Sequence, residues 1–138
     1  MSFTTDQTTP LRPNFAEFQV IVAEDEPMAA KLAQGALKLM GFRRIFHATD
    51  GLKALKLLKE LDGDVQLIIS DWNMPAINGL EFLKAVRKIF PKMRFVMLTG
   101  NANREFVMAA RKYGVDAYIA KPFTPDQLKQ KVEAIFRL

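Results

Sequence analysis

The 138-residue sequence has no cysteine and a single histidine. The absence of cysteine excludes disulfide bonds, thiol catalysis and zinc sites built on thiolates, and it is typical of a reducing compartment. No uncharged apolar run approaches the ~18 residues of a membrane-spanning helix, and residues 1–10 lack the basic start and apolar stretch of a signal peptide. We therefore expect a cytoplasmic protein.

Charge is plentiful but dispersed, with 20 basic and 15 acidic residues and a net charge of +5. The basic residues occur singly or in pairs along almost every segment, whereas the acidic residues cluster once, at residues 24–26. This dispersion favours a solvated basic surface, and a chain of this length has no room for a DNA-binding domain beside one complete fold.

The order of segments predicts one α/β domain after a short arm. Residues 1–16 are rich in threonine and proline without periodicity, which predicts a flexible N-terminal arm, and residues 17–138 form the domain. Five short apolar runs alternate with five helical patterns, which predicts a doubly wound parallel sheet covered on both faces. The predicted strands are residues 18–23, 45–47, 65–70, 93–98 and 116–120.

Capping residues mark where the helices begin. Asp50 and Asn78 each precede a helical pattern, and Thr124 opens a capping box with proline at the first helical position. Leucines at every third residue, from Leu52 to Leu61, predict the buried face of the second helix. Leu32 is likewise predicted to point inward from the first helix.

Polar residues that can bind a ligand or take part in a reaction lie where the predicted strands end. They are Glu24 and Asp25 after the first strand, Asp71 after the third, Thr99 after the fourth and Lys121 after the fifth. The carboxyl ends of parallel strands meet at one edge, where sheets of this kind bind ligands. Three converging carboxylates repel one another, so one stays protonated or a cation joins them. Oxygen ligands without histidine or cysteine favour Mg²⁺ or Ca²⁺, and few protein ligands with several waters suit Mg²⁺.

Such a metal beside an aspartate and a lysine is typical of phosphoryl transfer, in which the aspartate can act as nucleophile. Each residue alone has a simpler interpretation. The acidic run suits a helix N-terminus, Asp71 suits a turn, and Lys121 suits an ordinary surface. Their joint position at successive strand ends favours a site.

Residues 18–138 resemble a response-regulator receiver domain and are similar to the stand-alone chemotaxis regulators (CheY-like proteins). The resemblance implies a flavodoxin-like, three-layered fold with five helices and a five-stranded parallel sheet in the order 2-1-3-4-5. The motifs that carry it are Glu24-Asp25, Ser70-Asp71-Trp72-Asn73-Met74-Pro75, Asn78-Gly79, Leu98-Thr99-Gly100, Tyr118 and Lys121-Pro122-Phe123.

The resemblance implies that Asp71 accepts a phosphoryl group from a phosphohistidine of a sensor histidine kinase or a histidine phosphotransfer protein. Asp25 and Asp71 would bind Mg²⁺ directly, Glu24 through water, and Asn73 through its main-chain carbonyl. The protein would then be a phosphoacceptor that assists its own phosphorylation and dephosphorylation, not an enzyme.

The resemblance also implies a switch. Lys121 would pair with the phosphoryl group, the Thr99 hydroxyl would turn toward it, and Tyr118 would swing inward behind Thr99. This would remodel the surface of helix 4, strand 5 and helix 5, which would bind a downstream target protein. The protein itself would be a monomer or a weak dimer.

For three residues outside this pattern we expect a structural or solvated role rather than a functional one. His47 is expected to be a packed or edge residue rather than a phosphorelay site. Arg104 and Arg111 share a helix face. We expect this face to be solvated rather than to bind an anionic partner.

Two other activities fit these residues less well, and two related roles stay open. A haloacid-dehalogenase-like phosphatase needs a D-x-D motif after the first strand, where this chain has Ala23-Glu24-Asp25-Glu26. A flavodoxin-like electron carrier needs a phosphate loop there, and three acids would repel a phosphate. A phosphate shuttle or sink in a phosphorelay, or a receiver-like scaffold working without phosphorylation, stays open.

Overall fold

A computed structural model of the chain describes residues 14–100 and 103–137 and shows one five-stranded parallel sheet. The strand order is β2-β1-β3-β4-β5, and every neighbouring pair is parallel. This confirms the fold class and the strand order implied by the resemblance. The strands are β1 (Gln19–Ala23), β2 (Arg44–Ala48), β3 (Leu67–Asp71), β4 (Phe95–Thr99) and β5 (Ala117–Ala120).

A helix follows each strand. The helices are α1 (Pro27–Leu39), α2 (Gly51–Glu60), α3 (Gly79–Ile89), α4 (Arg104–Lys112) and α5 (Pro125–Ile135). The predicted caps are present: Asp50 accepts the Lys53 N–H at 2.7 Å, and Asn78 and Thr124 each form a complete capping box. Within the described ranges, no helix is both long enough and apolar enough to cross a membrane.

The core has two layers because successive strand residues point to opposite faces of the sheet. On β1, Val20 and Val22 pack with the buried residues of α1 and α5 on one face. Ile21 and Ala23 pack with those of α2, α3 and α4 on the other. Burial on both faces explains why the strands are nearly continuous apolar runs.

The predicted buried faces of α1 and α2 need correction. Leu52 is 53% exposed, whereas Ala54 and Leu58 are fully buried. Residues three apart fall roughly 60° short of a full helical turn, so a leucine at every third position drifts off any one face. Leu32 on α1 is also exposed, at 36%.

The segment before β1 packs onto the domain. A 3₁₀ turn spans Phe15–Glu17, so the predicted boundary of the arm at residue 16 falls inside it. The Phe15 ring stacks on Phe42 with centroids 4.5 Å apart and meets Phe136 at 5.5 Å. These rings lie at the amino ends of the strands, and residues 1–13 of the predicted arm lie outside the described residues.

Candidate functional site

The acidic run after β1 divides between a structural and a chemical role. Glu26 is the N-cap of α1, and its carboxylate accepts the N–H groups of Met28 at 3.2 Å and Ala29 at 2.6 Å. Glu24 is completely buried, whereas Asp25 is exposed. Glu26 therefore has the helix-terminal role that the sequence suggested. Glu24 and Asp25 take no part in that cap and are candidate residues of the functional site.

Asp71 is the last residue of β3 and is almost fully buried. Its Oδ1 accepts the backbone N–H of Trp72 at 2.9 Å and lies 3.2 Å from the Lys121 ammonium nitrogen. Within residues 14–100 and 103–137, Oδ2 has no hydrogen bond or ion pair. The two oxygens of this carboxylate therefore differ, one anchored and one available to a ligand.

Lys121 follows β5 directly and connects two of the carboxylates. Its backbone N–H donates to the Thr99 carbonyl at 2.7 Å, which holds the residue at the edge of the sheet. Its ammonium group forms ion pairs with Glu24 Oε1 and with Asp71 Oδ1. Burial alone would lower the pKa of Lys121, but these two carboxylates outweigh it and raise that pKa above its ordinary value.

Burial dominates the electrostatics of Glu24. Loss of solvent raises the pKa of the Glu24 carboxyl to about 7; the Lys121 ammonium opposes this shift, and the negative charge of Asp71 adds to it. Although Oε1 is ion-paired with Lys121, no donor in the described residues reaches this buried oxygen with hydrogen-bond geometry. A buried carboxylate oxygen in this state favours a further cation or water nearby.

Three of the four predicted metal ligands come together. One carboxylate oxygen each of Glu24, Asp25 and Asp71 lies within 4.8 Å of the others. One lysine does not balance three carboxylates, and oxygen-only ligands suit Mg²⁺, so the residues present fit such an ion. Asn73 is exposed two residues after Asp71, and the role of its carbonyl stays a prediction.

Thr99 and Tyr118 lie behind the pocket on β4 and β5. Thr99 is buried, and Tyr118 is half-buried and hydrogen-bonded to it. Burial raises the pKa of the Tyr118 hydroxyl, and the bond with Thr99 opposes that shift. The two residues therefore lie together behind the pocket, and the predicted movement of Tyr118 stays a prediction.

Aromatic rings connect the pocket to α4. The Trp72 ring stacks on Phe106 of α4 at a centroid distance of 4.7 Å, and it meets the Tyr118 ring edge-on at 6.5 Å. Because Trp72 follows Asp71 directly and stacks on Phe106, a movement at the Asp71 carboxylate can reach α4 through contacts between neighbouring side chains. Arg104 and Arg111, also on α4, are exposed, as a solvated face requires.

Two contacts were not predicted from the sequence. The capping by Glu26 had a usable signal, an acidic residue directly before a proline at the first helical position. His47, on the edge strand β2, places its Nε2 2.8 Å from the Glu24 carbonyl oxygen. No periodicity or motif pointed to that contact.

Comparison with known proteins places this site in a family. Residues 20–133 match the family described as "Response regulator receiver domain". The chain is 35% identical over 120 residues to the chemotaxis protein CheY-3 of Vibrio cholerae, covering 86% of this chain and 91% of that protein. It is 37% identical over 119 residues to the chemotaxis protein CheY homolog of Campylobacter jejuni, covering 85% and 91%.

A solved structure agrees with the sequence relatives. The chemotaxis response regulator CheY4 of Vibrio cholerae superposes with a TM-score of 0.76 at 28% identity, covering 86% of this chain and 98% of that one. The family match over residues 20–133 includes the acidic residues Glu24, Asp25 and Asp71. The chain therefore belongs to the response regulator receiver domain family, as a CheY-like protein of two-component signalling.

Proposed function

We propose that this chain accepts a phosphoryl group on Asp71 from a phosphohistidine donor and thereby switches a protein-binding surface formed by α4, β5 and α5. The observation that carries the proposal is the Lys121 ammonium group, which joins the buried carboxylates of Glu24 and Asp71 at the carboxyl edge of the sheet. Asp25 completes the acidic group there. This combination of a nucleophile, a cation and further carboxylates fits phosphoryl transfer.

In the transfer step, Asp71 Oδ2 attacks the phosphorus atom of the phosphohistidine. A phosphorus–oxygen bond forms as the phosphorus–nitrogen bond breaks, and the leaving imidazole nitrogen keeps the electron pair and takes a proton. Trp72 N–H and Lys121 hold Oδ1, so the carboxylate is oriented before the donor arrives. The Lys121 ammonium then offsets charge on the phosphoryl oxygens.

Mg²⁺ would be held by Asp25 and Asp71 directly, by Glu24 through water and by the main-chain carbonyl of Asn73. When bound, it supplies positive charge that neutralises the acidic pocket and the incoming phosphoryl oxygens. Without such an ion the donor, itself an anion, must approach three carboxylates. Transfer is therefore expected to depend on Mg²⁺.

The switch begins at Thr99. A phosphoryl group on Asp71 offers a charged acceptor for the Thr99 hydroxyl, which in this structure is hydrogen-bonded with Tyr118. Redirecting Thr99 would release Tyr118 to swing inward behind it, which alters the edge-on contact of Tyr118 with Trp72, the ring that stacks on Phe106. Phe106 belongs to α4, so the change reaches the surface that a target protein would bind.

The proposed role is that of a stoichiometric phosphoacceptor and binding module, not of an enzyme with turnover on a separate substrate. Its partners would be a sensor histidine kinase or histidine phosphotransfer protein and a downstream target protein. The expected output is a contact between the surface of α4, β5 and α5 and the target protein.

The test uses Trp72, the single tryptophan of the chain and the neighbour of Asp71. Its fluorescence is followed during a Mg²⁺ titration and then on addition of beryllofluoride, a mimic of a bound phosphoryl group. In parallel, the protein is incubated with Mg²⁺ and a small phosphodonor, and the mass of the intact chain is measured. We expect a Mg²⁺-dependent fluorescence change and the gain of one phosphoryl group.

Asp71→Asn should abolish both signals, whereas Asp62→Asn serves as the matched control. Asp62 is exposed with φ of 53°, a conformation that asparagine tolerates equally well. Absence of phosphoryl incorporation together with absence of Mg²⁺ binding by calorimetry would contradict the proposal. Incorporation without any phosphorylation-dependent capture of a partner would instead favour the phosphate shuttle or sink.

A further inference from the structure

His47 is the only histidine of the chain, and it contacts the loop that carries the first two carboxylates. Its Nε2 lies 2.8 Å from the main-chain carbonyl oxygen of Glu24. A carbonyl oxygen only accepts hydrogen bonds, so the proton of this contact must reside on Nε2. The contact therefore selects one tautomer of the neutral ring.

The imidazole continues the hydrogen bonding between β1 and β2 by one step. The two strands are in register from Gln19 opposite Arg44 to Ala23 opposite Ala48, and the Glu24 N–H donates to the Ala48 carbonyl at 2.9 Å. β2 ends there, and Asp50 already serves as the N-cap of α2. The His47 side chain thus donates to the Glu24 carbonyl, the first carbonyl after β1, in place of a backbone N–H of β2.

This contact matters for Asp25 because of backbone geometry. The Glu24 carbonyl and the Asp25 nitrogen belong to one planar peptide group. A hydrogen bond that holds the Glu24 oxygen therefore fixes the orientation of this plane and with it the direction of the N–Cα bond of Asp25. Asp25 is exposed, and its carboxylate has no hydrogen bond or ion pair within the described ranges. Its position relative to Glu24 and Asp71 therefore depends on the direction of its backbone and on its own side-chain rotamer, with no neighbouring side chain holding it.

We propose that His47 is a positioning residue of the cation site: by donating from Nε2 to the Glu24 carbonyl, it orients the Glu24–Asp25 peptide so that Asp25 meets Glu24 and Asp71. It touches neither the cation nor the phosphoryl group. The inference rests on the proposed function, because it assumes that these carboxylates bind Mg²⁺. Groups that orient metal ligands affect metal affinity without contacting the metal.

The first measurement is the tautomer of the ring. A ¹H–¹⁵N NMR spectrum of imidazole nitrogens contains one histidine and needs no assignment. The neutral ring should carry its proton on Nε2. A neutral ring protonated on Nδ1 would overturn the inference without reference to Mg²⁺.

The second measurement is Mg²⁺ affinity by calorimetry. His47→Ala should weaken binding by roughly tenfold, the low end of the range for such supporting contacts, and His47→Gln should stay within about twofold because its amide reaches the same carbonyl. Thr49→Ala is the matched control at the same edge of the sheet, since the Thr49 hydroxyl contacts Lys53 and not the acidic loop. If His47→Ala does not fold, His47→Asn is measured in its place, because the asparagine side chain is one methylene shorter than glutamine and its amide does not reach the Glu24 carbonyl.

The outcomes separate the two proposals. Wild-type protein that binds Mg²⁺ with the same affinity as His47→Ala or His47→Asn overturns the positioning role and leaves the proposed function intact. Loss of affinity in His47→Gln equal to that in His47→Ala also overturns it, because rescue by the second donor fails. Wild-type protein that binds no Mg²⁺ overturns both.

Discussion

Glu24 combines complete burial with an ion pair to Lys121. Desolvation nevertheless dominates, and it raises the pKa of the Glu24 carboxyl from its ordinary 4.5 to about 7. Between these values the folded protein binds more protons than the unfolded chain does. Stability must therefore decrease as pH increases through this window.

This linkage gives a pH prediction in metal-free buffer. The free energy of unfolding should be highest below pH 4.5 as far as Glu24 is concerned, and should fall until the pH passes about 7. A shift of this size corresponds to a few kcal/mol. Urea unfolding at a series of pH values measures it.

Glu24→Gln provides the comparison, because glutamine cannot titrate in this range. Its stability should vary less with pH between 5 and 7.5, on the order of 1 kcal/mol less in total. Equal slopes for the two proteins would show that Glu24 is not the titrating group. Saturating Mg²⁺ should flatten the wild-type slope, since it favours the charged carboxylate.

Gly79 supports the site through its lack of a side chain. A Cβ at this position would lie 2.3 Å from the Asp71 carbonyl oxygen and 2.9 Å from the Trp72 Cα. Gly79 also donates its N–H to the Trp72 carbonyl at 2.7 Å. The first residue of α3 is thus packed directly on the backbone that presents Asp71.

Gly79→Ala should therefore destabilise the protein by about 2–3 kcal/mol, because rigid backbone must move to admit the methyl group. It should also weaken the beryllofluoride response of Trp72. Gly35→Ala is the control, since nothing lies within 4 Å of a Cβ there and α1 is exposed at that point. That variant should be more stable by about 0.5–1 kcal/mol, as alanine favours a helix. Chemical denaturation distinguishes the two, and equal effects would contradict this account.

At the scale of elements, α4 is the most weakly anchored helix. Of its described side chains only Ala110 is fully buried, whereas α1 buries four residues and all five residues of β3 are buried. Its main aromatic contact is the stack of Phe106 on Trp72. An element with few buried contacts opens at low free-energy cost and suits a conformational switch.

Hydrogen exchange tests this difference directly. Amides of α4 should exchange more than about tenfold faster than those of β3 and α1. Beryllofluoride with Mg²⁺ should alter exchange in α4 and β5 while leaving α1 nearly unchanged. Asp71→Asn should show no such response, and a uniform response over all helices would contradict a switch localised at α4.

At the scale of the whole molecule, the two ends of the sheet have separate roles. The carboxyl edge holds Asp71 and its neighbours, whereas the amino edge holds the rings of Phe15, Phe18, Phe42 and Phe136. No residue contributes to both groups. We expect the amino edge to determine stability and the carboxyl edge to determine chemistry.

Phe15→Ala should accordingly reduce stability by about 1–2 kcal/mol, through loss of the stacked contact with Phe42 and its buried area. Mg²⁺ affinity should not change. In the double variant with Asp71→Asn, the changes in unfolding free energy should add within about 0.5 kcal/mol, because the sites are distant. A clear departure from additivity, measured by denaturant unfolding, would indicate coupling across the sheet.

Local patterns in the sequence determined the order of elements and the place of the site. Apolar runs, caps and the residues at the strand ends predicted five strands, five helices and a cluster containing Glu24, Asp25 and Asp71. These features depend on chain-local periodicity and on parallel strands ending at one edge. The strand order came from the resemblance, because pairing between distant segments leaves no local signal.

Only the tertiary structure decided how each group in the pocket is paired. The division of the acidic run into a cap and two site residues depends on where α1 begins, and the differing oxygens of Asp71 depend on Trp72 and Lys121. The contact from His47 to Glu24 joins residues 23 positions apart. Burial, charge and hydrogen bonding act over a few ångströms, and those distances are set by how the strands and helices pack together.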